Sequence, residues 1–198
     1  MEIVITTLLG MEALVAQEVV DLGYPKESVT VMDGQVHLCV NPQDWDGLSR
    51  AIARLNIGVR TGERVLLAVD RFVAKTYDEL FDGVRAIDWS NWIPKGWAYV
   101  ITGHSRKSAL FGTPAIQRTL KKGISEQLAK KRGVVAGGIV PEDPRLGTVK
   151  LQFAFLSDVI TLMIDTTGVG LHKRGYRLKH NVAPIKETLE AGMIQLMR

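Results

Sequence analysis

The chain has 198 residues, is 46% hydrophobic and 23% charged, and carries a formal net charge of +4, which predicts a folded, water-soluble protein and excludes a disordered one. No stretch approaches the roughly 20 apolar residues of a membrane-spanning helix, and the N-terminus lacks the basic start and apolar core of a signal peptide, so we expect a cytoplasmic protein with no membrane partner. Cys39 is the only cysteine and the four histidines lie in separate segments without metal-ligand spacing, which argues against both a disulfide and a bound metal.

The first 70 residues alternate between strand-like and helix-like patterns. Apolar residues recur at helical spacing between Met11 and Leu22, and Asp33-Gly34 is a dipeptide that favours a two-residue hairpin turn. The predicted elements, in chain order, are strand 2–7, helix 11–22, strands 29–32 and 36–40, a helix-like stretch from Asn41-Pro42 to Leu55, and strand 64–73. The order β-α-β-β-α-β predicts a ferredoxin-like domain.

A second α/β segment follows, in which Thr76 is predicted to cap one helix and Thr113 another. The second of these helices has Pro114 in its first turn and an apolar stripe at four-residue spacing. The predicted elements are helix 76–87, strand 97–102, helix 113–132, a loop over 137–147, strand 149–155, a turn at Ser157-Asp158 and strand 159–165.

Three tryptophans, Trp89, Trp92 and Trp97, cluster around Pro94 and Gly96. They serve either as packing residues or as surfaces on which nucleic-acid bases stack. Large aromatic side chains are mainly buried, whereas stacking sites need exposure. We therefore favour packing.

Signatures of catalysis are missing from the sequence. Gly168-Val169-Gly170 begins like a dinucleotide-binding fingerprint, but Lys173 occupies the place of the third glycine. There is no phosphate-binding G-x-x-x-x-G-K-[ST] motif and no G-x-S-x-G motif. A chain that modifies RNA by itself could use Asp158 and Asp165 as acids or bases, but their hairpin positions favour turn and cap roles.

Charge divides unevenly along the chain and indicates a polyanionic partner. Residues 1–100 hold 9 basic and 14 acidic residues, for a charge of −5, whereas residues 101–198 hold 16 and 7, for +9. On the helix over 113–132, Arg118, Lys121, Lys122 and Ser125 lie about one turn apart, opposite the apolar stripe, and residues 130–132 are expected to extend this basic face. Basic side chains gain affinity for nucleic acid by releasing condensed counterions. The alternative is a solvated basic face without a partner.

Six segments carry a family resemblance. Residues DTTG, LHKRGYR and APIKETL resemble the junction that joins a THUMP RNA-binding domain to a SAM-dependent methyltransferase domain, and KTYDEL, AIDW and SRKSALF resemble the THUMP domain itself. These segments are residues 165–168, 171–177, 183–189, 75–80, 86–89 and 105–111. By this pattern the chain is most similar to bacterial 23S ribosomal RNA guanine-N2 methyltransferases, often described as adenine-specific methylases.

The resemblance implies an α/β (α+β) fold in three parts: a ferredoxin-like domain over 1–70, a THUMP domain over 71–166 whose family profile is expected to begin as early as residue 44, and a linker helix within 167–198. In the family a Rossmann-like catalytic domain follows. Its acidic, glycine-rich SAM loop and its N-P-P-[YF] motif are missing from this sequence. We therefore expect no catalytic residue and no cofactor site here, with SAM bound by the missing domain.

Charge and resemblance together predict that the chain binds structured RNA, 23S ribosomal RNA above all, and positions a guanine for methylation. The predicted RNA-binding residues are Ser105, Arg106, Lys107, Arg118, Lys121, Lys122, Lys130, Lys131, Arg132, His172, Lys173, Arg174 and Arg177. For residues 171–177 the alternative is a structural linker in which Tyr176 packs while Lys173 and Arg174 face solvent. For the whole chain it is a small-ligand or protein interaction module, because ferredoxin-like folds host many functions.

Overall fold

The chain forms two compact units in the computed structural model, which describes residues 1–41, 44–134, 140–175 and 185–197. The first unit consists of Met1–Ala68 and Asp165–Arg198, and the second of Val69–Ile164. The elements are β1 (Glu2–Thr7), α1 (Glu12–Asp21), β2 (Val29–Met32), β3 (Gln35–Cys39), α2 (Trp45–Gly58), β4 (Gly62–Val73), α3 (Tyr77–Ala86), β5 (Ala98–Arg106), α4 (Thr113–Lys131), β6 (Thr148–Leu156), β7 (Val159–Asp165) and α5 (Glu187–Leu196). Within these ranges no helix is long and apolar enough to cross a bilayer.

The first unit has the predicted ferredoxin-like arrangement. Its strands lie in the order β2-β3-β1-β4, and β1 pairs with both β3 and β4 in antiparallel register. The hairpin of β2 and β3 turns at Asp33-Gly34, where Gly34 has a φ of 70°. The buried core of this unit includes Val15 and Val19 of α1, Leu48 and Leu55 of α2, and Ile3, Val4 and Ile5 of β1.

The second unit contains the strand order β4-β7-β6-β5, to which β4 contributes its last residues. Strands β6 and β7 form the predicted antiparallel hairpin, and β5 pairs with β6 in parallel. Both Ser157 and Asp158 have positive φ, at 50° and 65°, as a tight two-residue hairpin turn requires. The predicted apolar stripe of α4 is confirmed, since Ile116, Leu120, Ile124 and Leu128 are at most 1% exposed and belong to the core of this unit.

The structure departs from the sequence predictions at one strand end, since β5 runs to Arg106 and not to Thr102, and at two helix starts. Helix α2 begins at Trp45 and not at Asn41, because the Asp44 carboxylate accepts a 2.7 Å hydrogen bond from the Gly47 N–H and caps the helix there; Pro42 lies outside the described residues. The predicted cap at Thr113 is wrong, because Gly112 occupies that position and Thr113 is already the first helical residue. Thr76, in contrast, caps α3 as predicted, in a capping box with Glu79.

Two of the three clustered tryptophans pack in the core, as favoured from the sequence. Trp89 is fully buried in the core of the second unit, and its indole N–H donates a 2.8 Å hydrogen bond to the Val84 carbonyl. Trp92 is partly buried against the same core. Trp97 remains 36% exposed, with its ring beside Gly147.

Candidate nucleic-acid interface

The exposed face of α4 gathers three cations along one open groove. Amphipathic spacing directs the apolar stripe of α4 into the core, so residues on the opposite side of the helix are left in solvent. Arg118, Lys121 and Lys122 are all exposed there. The groove is lined by Pro114, Gln117, Arg118, Lys121, Lys122 and Ser125. Gln117 is not among the residues predicted from the sequence, although it lies one helical turn before Lys121 on the same face.

Three hydrogen bonds hold this face against β5. The Tyr99 hydroxyl lies 2.7 Å from the Ser125 Oγ and donates to the Lys121 carbonyl at 3.2 Å. Burial raises the pKa of Tyr99 to about 12, so its hydroxyl stays neutral and keeps its proton. The Gln117 amide donates a 2.9 Å hydrogen bond to the Ile101 carbonyl. The groove is therefore built on a fixed helix.

The groove cations make only weak intramolecular contacts. The Lys121 Nζ lies 3.9 Å from Glu142 Oε2 and 5.5 Å from the centre of the Tyr99 ring. The Lys122 Nζ lies 5.1 Å from the centre of the Phe81 ring. Exposed pairs and cation–π contacts of this kind contribute about 1 kcal/mol or less. Both ammonium groups are therefore available to an anionic ligand.

The last cations of α4 do not continue the groove in the way that the sequence pattern predicts. Lys131 pairs with Asp88 at 2.8 Å, and this hydrogen bond is the main reason that the pKa of Asp88 is far below its usual range. The Arg132 guanidinium donates to the carbonyls of Ile93 and Pro94, at 2.7 and 3.2 Å. Lys130 is exposed. Lys131 and Arg132 thus hold the end of α4 against residues 88–94, which include Trp89 and Trp92.

The end of β5 supplies two more exposed cations, Arg106 and Lys107. Lys107 has a φ of 52° and begins the loop that leads into α4. Ser105, the third predicted residue of this segment, is only partly exposed and donates its hydroxyl hydrogen to the Leu110 carbonyl. Its contact is therefore internal to the loop.

The segment that follows β7 belongs to the first unit, and its cations differ in exposure. Lys173 is exposed. Arg174, which the linker alternative placed in solvent, is only partly exposed. Its guanidinium donates to the Leu171 carbonyl and to the carbonyls of Ile57 and Val59 at the end of α2. Arg177 and Tyr176 lie outside the described residues.

His172 lies inside a polar junction centred on Glu63. Its Nδ1 is buried and 3.5 Å from a Glu63 carboxylate oxygen. The same carboxylate accepts hydrogen bonds of 2.6 Å from the Lys186 Nζ and the Thr188 hydroxyl at the start of α5. Burial raises the pKa of Glu63, but these two hydrogen bonds and the nearby positive charge of Lys186 together outweigh it and leave the pKa below its usual value. Glu63 therefore fastens α5 to β4 as a carboxylate.

Replacing Glu63 by glutamine is expected to lower the free energy of unfolding by about 1–2 kcal/mol, because a neutral amide loses the charge-assisted bonds to Lys186 and Thr188. The amides of α5 should also exchange with solvent faster, as measured by hydrogen exchange alongside chemical denaturation. The matched control is Glu27→Gln, which removes the same charge at an exposed position. Equal stability of the two variants would contradict the role of Glu63.

The sign of the pH dependence follows from the lowered pKa. The carboxylate contributes stability above its unfolded value of 4.5 and loses it as the pH falls through the folded value. The difference in stability between wild type and Glu63→Gln should therefore shrink in acid.

The two carboxylates considered as acids or bases have structural partners. Asp158 accepts a 2.7 Å hydrogen bond from the Ala109 N–H, and Asp165 accepts 2.5 Å and 2.9 Å bonds from Arg64 and from the Thr167 N–H. Gly168-Val169-Gly170 leads to Leu171, whose N–H donates to the Glu63 carbonyl, and not into a helix. These contacts support turn and cap roles over proton transfer. No cluster of metal-ligating side chains occurs in the described parts of the chain.

Comparison with known protein families assigns a domain to each half of the chain. Residues 2–66 match the RlmL ferredoxin-like domain, in agreement with the strand order of the first unit. Residues 74–135 match the THUMP domain, which covers α3, β5 and α4. The basic groove therefore lies inside the THUMP match.

Similar full-length proteins are methyltransferases by name. The chain is 39% identical to "Putative RNA methyltransferase YpsC" of Bacillus subtilis (strain 168), over 98% of this chain and 47% of that protein. It is 28% identical to ribosomal RNA large subunit methyltransferase K/L of Pseudomonas putida (strain F1), over 98% of this chain and 25% of that protein. The crystal structure of SMU.472 complexed with SAH superposes with a TM-score of 0.84 at 34% identity, over 98% of this chain and 48% of that one. The chain thus spans half or less of the length of these proteins.

Proposed function

We propose that the chain is the RNA-binding and substrate-positioning part of a SAM-dependent ribosomal RNA methyltransferase, because residues 2–66 match the RlmL ferredoxin-like domain and residues 74–135 match the THUMP domain. The names of its relatives support an RNA substrate. In this proposal the chain binds and orients the RNA, while other residues of the longer proteins catalyse the transfer of the methyl group. Such a substrate would be met in the cytoplasm.

One observation carries the proposal: Arg118, Lys121 and Lys122 line a single exposed groove on a helix whose other side is buried. Phosphate oxygens along an RNA backbone are spaced so that neighbouring cations on one helix face can contact successive phosphates. The deep major groove of A-form RNA hides its base edges from side chains, so shape and phosphate contacts are expected to dominate recognition. Arg106 and Lys107 add to the positive charge of the same unit.

The chemistry of the methyl transfer would come from SAM. A structural neighbour is bound to SAH, and we propose that the cofactor site lies in the part of the longer relatives that this chain does not span. We further propose N2 of a guanine in 23S ribosomal RNA as the methylated position. This finer assignment depends on the resemblance of residues 165–189 to the interdomain junction of guanine-N2 methyltransferases.

Titration of 23S ribosomal RNA fragments at several salt concentrations tests the proposal. If about 4–6 phosphates are neutralised, the logarithm of the affinity should fall with the logarithm of salt concentration with a slope of about −3 to −5. RNA binding that does not depend on salt would contradict the proposal. Tighter binding of a metabolite or a protein than of RNA would favour the alternative, a small-ligand or protein interaction module. The matched control is a neutral polymer such as poly(vinyl alcohol), which should not bind.

A further inference from the structure

The loop between β5 and α4 presents an aromatic side chain to solvent beside the basic groove. Phe111 is 82% exposed, and it is the most exposed large apolar side chain in the described part of the chain. A second aromatic residue lies beside the next residue, Gly112: Tyr77 is 40% exposed, and its hydroxyl lies 3.7 Å from where a Cβ on Gly112 would stand. Two aromatic residues therefore flank Gly112 at the start of α4.

The loop that carries Phe111 is held in place at several points. The Ala109 N–H donates to the Asp158 carboxylate at 2.7 Å, and the Ser108 hydroxyl accepts from the Asp158 N–H at 3.0 Å. Leu110 is 6% exposed and belongs to the core of the second unit. Because Leu110 is buried and the helix begins two residues beyond Phe111, the backbone on both sides of Phe111 is held while its side chain lies in solvent. Backbone that is already held adds little to the entropy lost when the ring contacts a ligand.

Exposed cations precede and follow Phe111 along the chain. Arg106 and Lys107 are exposed at the start of the loop. Arg118 bends back along α4, where its Nε donates to the Pro114 carbonyl at 3.3 Å. The Asp158 carboxylate, which lies at this loop, accepts a hydrogen bond from the Ala109 N–H. An apolar protein segment would gain little from so much positive charge, whereas an unpaired nucleotide offers a flat apolar ring joined to a phosphate.

We infer that Phe111 stacks on an unpaired base of the bound RNA while Arg106, Lys107 and Arg118 contact the phosphates on either side of it. The inference rests on the proposed RNA binding and makes it more specific: the recognised element contains a nucleotide outside a duplex. The groove of α4 would then hold the adjoining paired stem. Stacking on Phe111 is tolerant of base identity, because every base has a π face.

The experiment compares two RNA duplexes of about 16 base pairs, one fully paired and one with a single bulged 2-aminopurine nucleotide. Wild-type protein is expected to bind the bulged duplex about 10-fold more tightly, as one base–aromatic stack implies, and to quench the 2-aminopurine fluorescence. Phe111→Ala should bind both duplexes equally, with the wild-type affinity for the paired one. Phe111→Trp should keep the preference. Leu9→Ala, which alters a side chain that is 79% exposed in the first unit, is the matched control and should behave as wild type.

Each contrary outcome has a distinct meaning. If Phe111→Ala keeps the preference, or weakens binding of both duplexes equally, the stacking role is refuted while RNA binding stands. The stacking role is also refuted if Phe111→Ala changes only the sedimentation of the free protein, since Phe111 would then be a contact between copies of the chain. If wild-type protein binds neither duplex in a salt-dependent way, both the stacking role and the proposed function fail.

Discussion

Replacing Lys121 and Lys122 together by glutamate is expected to weaken RNA binding about 100-fold at physiological salt, with similar losses for RNAs of different sequence. Each substitution removes one phosphate contact and puts a repelling carboxylate in its place. The slope of the salt dependence should also become shallower by about 2, because two fewer counterions are released. Filter binding or fluorescence anisotropy at several salt concentrations gives both numbers.

The fold should survive this double substitution. Both side chains are exposed, and the hydroxyl of Tyr99 contacts the backbone carbonyl of Lys121 and not its side chain. The matched control is the double variant Lys26→Glu and Lys95→Glu, which changes two other exposed lysines and lowers the net charge from +4 to 0 in the same way. If both double variants lose the same affinity, net charge and not the groove determines binding, and the interface lies elsewhere.

Gly103→Ala is expected to lower the free energy of unfolding by about 3 kcal/mol, the upper end of what overpacking usually costs. Gly103 faces Phe153 in the register of β5 and β6. An added Cβ would stand 2.2 Å from the Phe153 carbonyl oxygen and 2.5 Å from its ring. A backbone oxygen inside a sheet cannot move aside without separating the two strands. Chemical denaturation followed by near-ultraviolet circular dichroism measures the loss.

Gly112→Ala is the matched control in the same unit. A Cβ there would meet nothing closer than 3.7 Å, so it should cost less than about 1 kcal/mol, mostly through the weaker cap that alanine provides. Equal destabilisation by the two substitutions would mean that β5 is free to shift away from β6. The position of Tyr99, and with it the attachment of α4, would then be less firmly fixed than the contacts indicate.

Local patterns in the sequence were sufficient for most of the secondary structure. The Asp33-Gly34 dipeptide sets the β2–β3 turn, Thr76 with Glu79 caps α3, and the four-residue spacing of the apolar stripe defines the buried side of α4. Each of these signals acts between residues no more than one helical turn or one hairpin apart. The predicted start of α2 at Asn41-Pro42 is wrong for an equally local reason. The Asp44 side chain caps the helix three residues later.

The sequence by itself determined that the positive charge lies in the second half of the chain and that Arg118, Lys121 and Lys122 share a helix face. Which other cations remain available was decided only by the tertiary structure. Lys131 forms an ion pair with Asp88. Arg132 donates hydrogen bonds to carbonyls 38 and 39 residues away, and Arg174 donates to carbonyls 115 and 117 residues away. Helical periodicity fixes the direction of a side chain on its own helix, but its partners come from whichever distant segments the folded core brings next to it.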